Sequence, residues 1–381
     1  MRVLLDYRPA LRERSGVGEY AYQLARALLT QYPPGAAQGS LELTLFSSSW
    51  KDRIDREADI AEARLVDRRV PVKVLNWAWH RLEWPAAETL TRSRFDVAHS
   101  PHPLLLPSRS GARLVTIHDL DFLSHPERTD GEIRRDYPGL ARDHAQRADQ
   151  IVVSSRFTAS EVTRLLGIPA DRISVCPPGR PSWSPLGRSS GAKEYVLFFG
   201  TLEPRKNVGG LLDAYESLLG RAAGGSATPI PRLVLAGRAT PAARQWLARI
   251  SRPPLSRVVR HIGYVDPARR RELYEGAALL VQPSFNEGFG LPVLEAMTVG
   301  IPVVAANRGA LPELLGDAGV LVDPEDTEEL ASAMARMLGD RALQESSVAR
   351  GYARAGQFDW RRTARDVYEA YRAAIERRLC A

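Results

Sequence analysis

The chain has 381 residues, 44% hydrophobic and 25% charged, with a net charge of +7. That length suits two domains of roughly 180 residues, and the composition is that of a soluble globular protein. Its two cysteines, Cys176 and Cys380, exclude a disulfide framework or a CxxC zinc site, no run approaches the ~18 apolar residues of a membrane span, and the short apolar run after Met1 is not a signal peptide. The positive charge favours anionic partners: phosphate-bearing small molecules, a membrane surface or nucleic acid.

Val3 to Asp6 is expected to form the first strand, followed by a loop from Arg8 to Gly18 and then a helix. Ala21, Leu24, Ala25 and Leu28 recur at i, i+3, i+4 and i+7, one face of that helix. Gly16, Gly18 and Ala21 formally satisfy G-x-G-x-x-A. They lie about ten residues past the strand, however, not in the first tight turn of a dinucleotide site. The next strand, Leu41 to Phe46, runs into Ser47-Ser48-Ser49 with no acid placed for a ribose. The glycines are therefore expected to bring backbone towards a phosphate or an acceptor, with a plain flexible turn as the alternative.

Residues 50 to 95 show the least periodicity. Val74 to Trp84 sets three tryptophans among basic residues. Such a segment is either an interfacial helix for a membrane or lipid-linked acceptor or a helix packing its aromatics into the domain, and the second is expected. Asp96 to His99 and Leu114 to Ile117 follow as buried strands, the latter leading into His118-Asp119-Leu120-Asp121. Polar groups at the carboxyl end of such a strand lie where ligands bind in α/β sheets. His118 is thus a cleft residue by expectation. His99 and His102 have a metal-like spacing but sit in a proline-rich loop without partner cysteines, and no metal ligation is expected. Strands at Ile151 to Ser155 and Ile173 to Cys176 flank a helix near Ser160 to Leu166, and Pro177 to Pro185 is a proline-dense linker. A domain boundary is expected near 180.

The second half alternates strands and helices more plainly: strands at Tyr195 to Gly200, Leu233 to Gly237, Val258 to Ile262, Ala277 to Gln282, Pro302 to Ala305 and Val320 to Val322. A helix near Ala268 to Tyr274 and a capping box of Asp326 and Glu329 are also expected. This alternation implies two doubly wound parallel sheets, expected to face each other across a cleft. The run Pro283-Ser284-Phe285-Asn286-Glu287-Gly288-Phe289-Gly290-Leu291-Pro292 stands out after the fourth of these strands. Proline suits a first helical turn, and the helix start offers unpaired donors and partial positive charge to an anion. Glu287 lies just before that helix and Glu295 about one turn inside it. Carboxylates beside an anion site fit a ligand that carries hydroxyls and phosphate together, such as a sugar nucleotide.

Gly200-Thr201-Leu202-Glu203-Pro204-Arg205-Lys206-Asn207, Pro283-Ser284 and the Glu287-x7-Glu295 element resemble the retaining glycosyltransferases of family 4. Ser15-Gly16-Val17-Gly18 and Ile117-His118-Asp119-Leu120 are similar to its mannosyltransferase-like branch. The resemblance spans nearly the whole chain and is strongest over 195 to 335. It implies a GT-B fold of two Rossmann-like domains: residues 1–180 for the acceptor, with a terminal helix near 356–381 packing back on them, and 181–355 for the nucleotide-sugar donor.

By position, the resemblance makes Arg205 and Lys206 the countercharge to the donor diphosphate, and Glu287 a partner of the transferred sugar's hydroxyls. The amides of Gly288, Phe289, Gly290 and Leu291 would lie close to sugar and phosphate, and Glu295 would bind ribose. Gly16 and Gly18 would approach the diphosphate, His118 would contact the sugar, and Tyr264 and Val265 would hold the base. Thr201 stands where many members carry arginine, which leaves Arg205 to supply that charge. The implied reaction is a metal-independent hexosyl transfer with retention. GDP-mannose is the expected donor, and a glycan or lipid-linked oligosaccharide in surface polysaccharide synthesis the expected acceptor. No cofactor and no nucleic-acid partner is expected. The location implied is cytoplasmic, with peripheral contact at an anionic inner membrane face. A sugar-nucleotide 2-epimerase and a non-catalytic nucleotide-sugar-binding protein are the alternatives.

Overall fold

The computed structural model describes residues 1–381 apart from 12, 13, 15, 37, 38, 56, 129, 130, 186–193, 224–229 and 381, and the backbone alone at 131–136 and 223. Ser15, one of the residues carrying the family resemblance, lies outside the described residues. The chain divides into two units: Met1–Gly179 joined by Asp359–Ala381, and Arg180–Phe358.

In the first unit β1 (Arg2–Asp6), β2 (Glu42–Ser48), β3 (Arg64–Arg68), β4 (Val97–Ser100), β5 (Ala112–Ile117), β6 (Gln150–Val153) and β7 (Ile173–Val175) form one sheet. Their order is β3-β2-β1-β4-β5-β6-β7, and every pairing is parallel. In the second unit β8 (Tyr195–Phe199), β9 (Arg232–Ala236), β10 (Val259–Gly263), β11 (Ala277–Gln282), β12 (Val303–Ala306) and β13 (Val320–Val322) form another. Its order is β10-β9-β8-β11-β12-β13, again all parallel. Both sheets thus run outward from their first strand, then restart on its other side with the fourth. That reversal defines the crevice where doubly wound sheets hold ligands, at the carboxyl ends of the strands.

Helices cover the faces of both sheets, as parallel strands buried on two sides require. In the first unit the helix Val17–Gln31 buries Tyr20, Ala21, Leu24, Ala25 and Leu28. The terminal helix Trp360–Cys380 adds Ala364, Val367, Ala370, Tyr371 and Ala374 to the same core. Thr363 ties it to the linker, its hydroxyl donating to the Pro177 carbonyl at 2.6 Å.

Several elements differ from the sequence expectations. The helix Val72–Leu82 is not packed inward by all its aromatics. Trp79 is buried, with its indole N–H donating to the Pro85 carbonyl at 2.9 Å, while Trp77 and Trp84 are 60% and 61% exposed. Leu75 and Trp79, four apart, form the inward stripe, and Trp77 falls on the other face. β2 runs on through Ser47 and Ser48, two residues past Phe46. β3 and the helices Gly131–Arg147 and Arg341–Ala355 were not anticipated. The capping box forms only by half. Asp326 accepts from the Glu329 N–H at 2.8 Å, but the Glu329 carboxylate accepts from Asp323 N–H instead.

Candidate functional site

In the second unit, β8 and β11 flank the reversal, and the loops leaving their carboxyl ends meet there. The Phe285 N–H donates to the Arg205 carbonyl at 2.9 Å and joins the two loops directly. Glu287 is 6% exposed. Its Oε1 accepts from Lys206 Nζ at 2.6 Å, Ser284 Oγ at 2.8 Å and Gln282 Nε2 at 2.9 Å. Arg205 Nη1 stands 3.6 Å from Glu287 Oε2 and donates to the Asn286 carbonyl at 3.1 Å, while Nη2 donates to Glu203 at 2.8 Å. Burial pushes the Glu287 carboxyl up, but the Lys206 and Arg205 charges outweigh it and hold the group at about 2. Glu287 is therefore a carboxylate at neutral pH, able to accept hydrogen bonds but not to supply a proton.

The backbone around Glu287 is also built for close approach. Gly309 has φ +63°, and a Cβ there would come within 2.6 Å of the Glu287 carbonyl oxygen; the next residue's N–H, that of Ala310, donates to the same oxygen at 2.8 Å. Gly290, at φ +107°, caps the helix Leu291–Val299, and a Cβ there would meet Leu311 at 2.7 Å. Only glycine fits both demands at either position.

Glu295 lies one turn into that helix and is 5% exposed. Arg270 Nη1 donates to its Oε1 at 2.9 Å, and the Tyr274 hydroxyl donates to its Oε2 at 2.8 Å. Both partners come from the helix Pro267–Glu275, four residues apart and hence on one face. Burial, together with the Glu295 charge, raises the Tyr274 phenol well above its ordinary value, so it stays a donor. The sequence showed this segment only as a helix; arginine and tyrosine four apart was the available signal.

The remaining expected donor-side residues spread around these clusters. Thr201 is half-buried directly after Gly200. Tyr264 is 37% exposed after the end of β10. Phe289 is 8% exposed and belongs to the core, where Val265 and Leu291 pack against the same cluster. Its ring stands edge-on to Phe358 at 5.6 Å.

The first unit brings a different set to its own reversal, between β1 and β4. Gly16, at φ +52°, precedes the helix Val17–Gln31, and Gly18 is buried in its first turn. His118 follows β5, its Nε2–H donating to the Pro101 carbonyl at 3.1 Å and its ring edge-on to Tyr20 at 4.8 Å. Burial lowers its pKa to about 4, so the ring is neutral at pH 7, with Nδ1 left as an acceptor. Sequence reasoning missed the neighbouring network. Asp6, fully buried at the end of β1, accepts from Arg8 Nε and Nη2 at 2.8 and 2.6 Å and from His102 Nε2 at 3.1 Å. Arg8 Nη1 donates to Asn76 at 2.6 Å, and the guanidinium lies 4.6 Å from the Trp79 ring centroid. Burial opposes ionisation of Asp6, yet Arg8 and His102 hold it well below the usual carboxylate range. His99 bonds Tyr371 and Thr116 through its two ring nitrogens, each at 2.8 Å. Among the described residues, no group of three His, Cys, Asp or Glu is placed to hold a metal ion.

Two parallel sheets in this strand order, with an ion-paired Glu-x7-Glu element at the reversal of the second, define a glycosyltransferase of the GT-B type. The family model "Glycosyltransferase Family 4" matches residues 14–181 and "Glycosyl transferases group 1" matches 193–340. The O-antigen chain mannosyltransferase B of Escherichia coli is 30% identical across 98% of this chain and 100% of its own. The chain belongs to glycosyltransferase family 4. A D-inositol 3-phosphate glycosyltransferase of Acidothermus cellulolyticus is 31% identical over 75% of this chain and 69% of its own. In fold, the chain is similar to sucrose-phosphate synthase of Thermosynechococcus elongatus, with TM-score 0.75, 19% identity and 98% of each chain covered. It is also similar to Anabaena HepE in complex with UDP and glucose, with TM-score 0.68, 18% identity and coverage of 97% of this chain and 98% of that one. No described helix is long and apolar enough to cross a membrane.

Proposed function

We propose that this glycosyltransferase moves mannose from GDP-mannose, with retention, to a hydroxyl of a glycan or lipid-linked acceptor in surface polysaccharide synthesis. The observation that carries the proposal is the Arg205–Lys206–Glu287 cluster at the reversal of the second sheet. Two basic side chains there supply charge to a diphosphate, arginine through a planar fork and lysine as a point charge. The mannosyltransferase name of the Escherichia coli relative supports the choice of sugar and pathway.

In this scheme the bond between the sugar's anomeric carbon and phosphate breaks, and its electron pair leaves with GDP. The acceptor oxygen bonds to the same face of that carbon, and its proton passes to the departing phosphate oxygen. Arg205, Lys206 and the start of the helix Leu291–Val299 stabilise the charge that develops on the diphosphate, with the amides of Gly288 to Leu291 beside it. Lys206 exchanges part of its bond to Glu287 for phosphate. Glu287 accepts from sugar hydroxyls; with three donors on one oxygen and a pKa of about 2, it is a poor nucleophile, which favours this role over a covalent one. Glu295 accepts from the ribose, and Thr201, Tyr264 and Val265 border the nucleoside. For the first unit, the family resemblance alone assigns His118 to the sugar and Gly16 and Gly18 to the diphosphate. The chemistry requires no metal.

The first unit also carries the surface for a membrane-borne acceptor. Lys73, Trp77 and Arg81 are exposed along the outer face of the helix Val72–Leu82, with Trp84 just beyond it. Aromatic rings beside basic side chains suit an anionic bilayer surface, which supports a peripheral contact of a cytoplasmic enzyme with the inner membrane face.

A thermal-shift panel of GDP-mannose, UDP-hexoses and dTDP-rhamnose tests the donor. At about 100 times Kd a donor stabilises the protein by ~2.7 kcal/mol. GDP-mannose should give the largest shift. A larger shift from another donor would replace the sugar assignment, no shift from any would overturn the nucleotide-sugar assignment, and conversion of a donor without acceptor would favour an epimerase.

A further inference from the structure

We infer that Arg270 and Tyr274 are positioning residues for ribose recognition, holding the Glu295 carboxylate in the one orientation that can accept a vicinal diol. The inference rests on the proposal that Glu295 binds the ribose.

A carboxylate that is only 5% exposed is costly unless paired and hydrogen-bonded. Arg270, itself 5% exposed, supplies the countercharge at Oε1, and Tyr274, fully buried, supplies a neutral donor at Oε2. Donors on both oxygens fix the carboxylate plane against rotation about its last side-chain bond. Each carboxylate oxygen accepts at two positions, so both contacts are compatible with further bonds from two ribose hydroxyls. Because the clamp is built before the ligand arrives, binding need not order this side chain.

The clamp is itself anchored. The Arg270 guanidinium lies 5.5 Å from the Phe199 ring centroid, and the Tyr274 ring lies 5.9 Å from Phe199 and 5.8 Å from Trp183. Phe199 ends β8, immediately before the loop that carries Arg205 and Lys206. The Tyr274 hydroxyl also approaches the Pro292 carbonyl at 3.3 Å. It has one hydrogen, and the 2.8 Å contact to Glu295 is the shorter claim on it.

The test compares ribose and deoxyribose forms of one diphosphate. GDP and UDP are titrated calorimetrically against the full chain, and the tighter binder is then compared with its 2′-deoxy and 3′-deoxy analogues. Wild type should favour the ribose form by roughly tenfold, the equivalent of one hydrogen bond of ~1.4 kcal/mol. Tyr274→Phe keeps the buried ring and removes only the hydroxyl; it should cut that preference to about twofold or less. Arg270→Lys keeps the charge but loses the fork, and should do the same if Tyr274→Phe folds poorly. A simple packing defect would weaken ribose and deoxyribose forms equally. Both variants folding with the tenfold preference intact would overturn the clamp. Wild type binding both forms equally would overturn the ribose role of Glu295 instead.

Discussion

Lys206→Met should expose how much of the second unit's stability depends on the buried Glu287 charge. Glu287 is 6% exposed and Lys206 contacts it at 2.6 Å. Its carboxyl is displaced from 4.5 to about 2, which at ~1.36 kcal/mol per unit amounts, net of burial, to about 3 kcal/mol from Lys206, Arg205 and Ser284 together, with Lys206 the largest favourable contributor. Removing one partner of a buried pair costs about 3 to 5 kcal/mol on other grounds, so the two magnitudes agree. Because the folded pKa lies below the unfolded one, the stabilisation is fully present above about pH 4.5 and drains away as pH falls towards 2. By pH 3.5 the same linkage leaves about 2 kcal/mol. Urea denaturation of the full chain at pH 7 and pH 3.5, followed by circular dichroism, measures both values. The double variant with Glu287→Gln should recover part of the loss, since no buried charge is then left alone. A penalty under about 1 kcal/mol at pH 7, or one that does not shrink with pH, would refute the coupling.

Other outcomes follow from the same structure. His118 is held neutral, its pKa lowered to about 4, so the unfolded chain takes up its proton first as pH falls below about 6.5. Wild type should lose stability from there towards pH 4, and His118→Gln should flatten part of that slope in thermal melts; an unchanged slope would show that the ring titrates normally. Transfer should persist in excess EDTA, and a rate restored only by added magnesium or manganese would require a metal in the reaction. Trp77→Ala and Trp84→Ala remove rings that are 60% and 61% exposed. They should reduce co-sedimentation with phosphatidylglycerol-containing vesicles while leaving the melting temperature within a degree or two, and equal sedimentation of wild type and variants would exclude this helix as the contact.

Strands such as Leu233-Val234-Leu235 were legible because parallel strands are buried on both faces and read as unbroken apolar runs. β3 escaped because Arg64, Asp67 and Arg68 give it the charges of an edge strand. The helix Gly131–Arg147 escaped because it is strongly polar and contains Pro138. Within the site, Arg205, Lys206 and Glu287 could be found because each sits in a short local motif after a strand. The Arg270–Tyr274 clamp could not, since it meets Glu295 from another helix and only folding supplies the pairing. The same holds for His102, which meets Asp6, and for Asn76, which meets Arg8, each from a segment distant in sequence. Tryptophan content suggested a helix packing its aromatics inward, but the inward stripe of Val72–Leu82 is set by the four-residue spacing of Leu75 and Trp79 rather than by aromatic count.

The most direct measurement is proton NMR of the product formed from GDP-mannose and a mannose-terminated oligosaccharide, with Glu287→Ala as the control. Wild type should form a new mannoside with the donor's α configuration, and Glu287→Ala should form none. A β-linked product, or transfer by Glu287→Ala near the wild-type rate, would contradict retention in the first case and the role of the Arg205–Lys206–Glu287 cluster in the second.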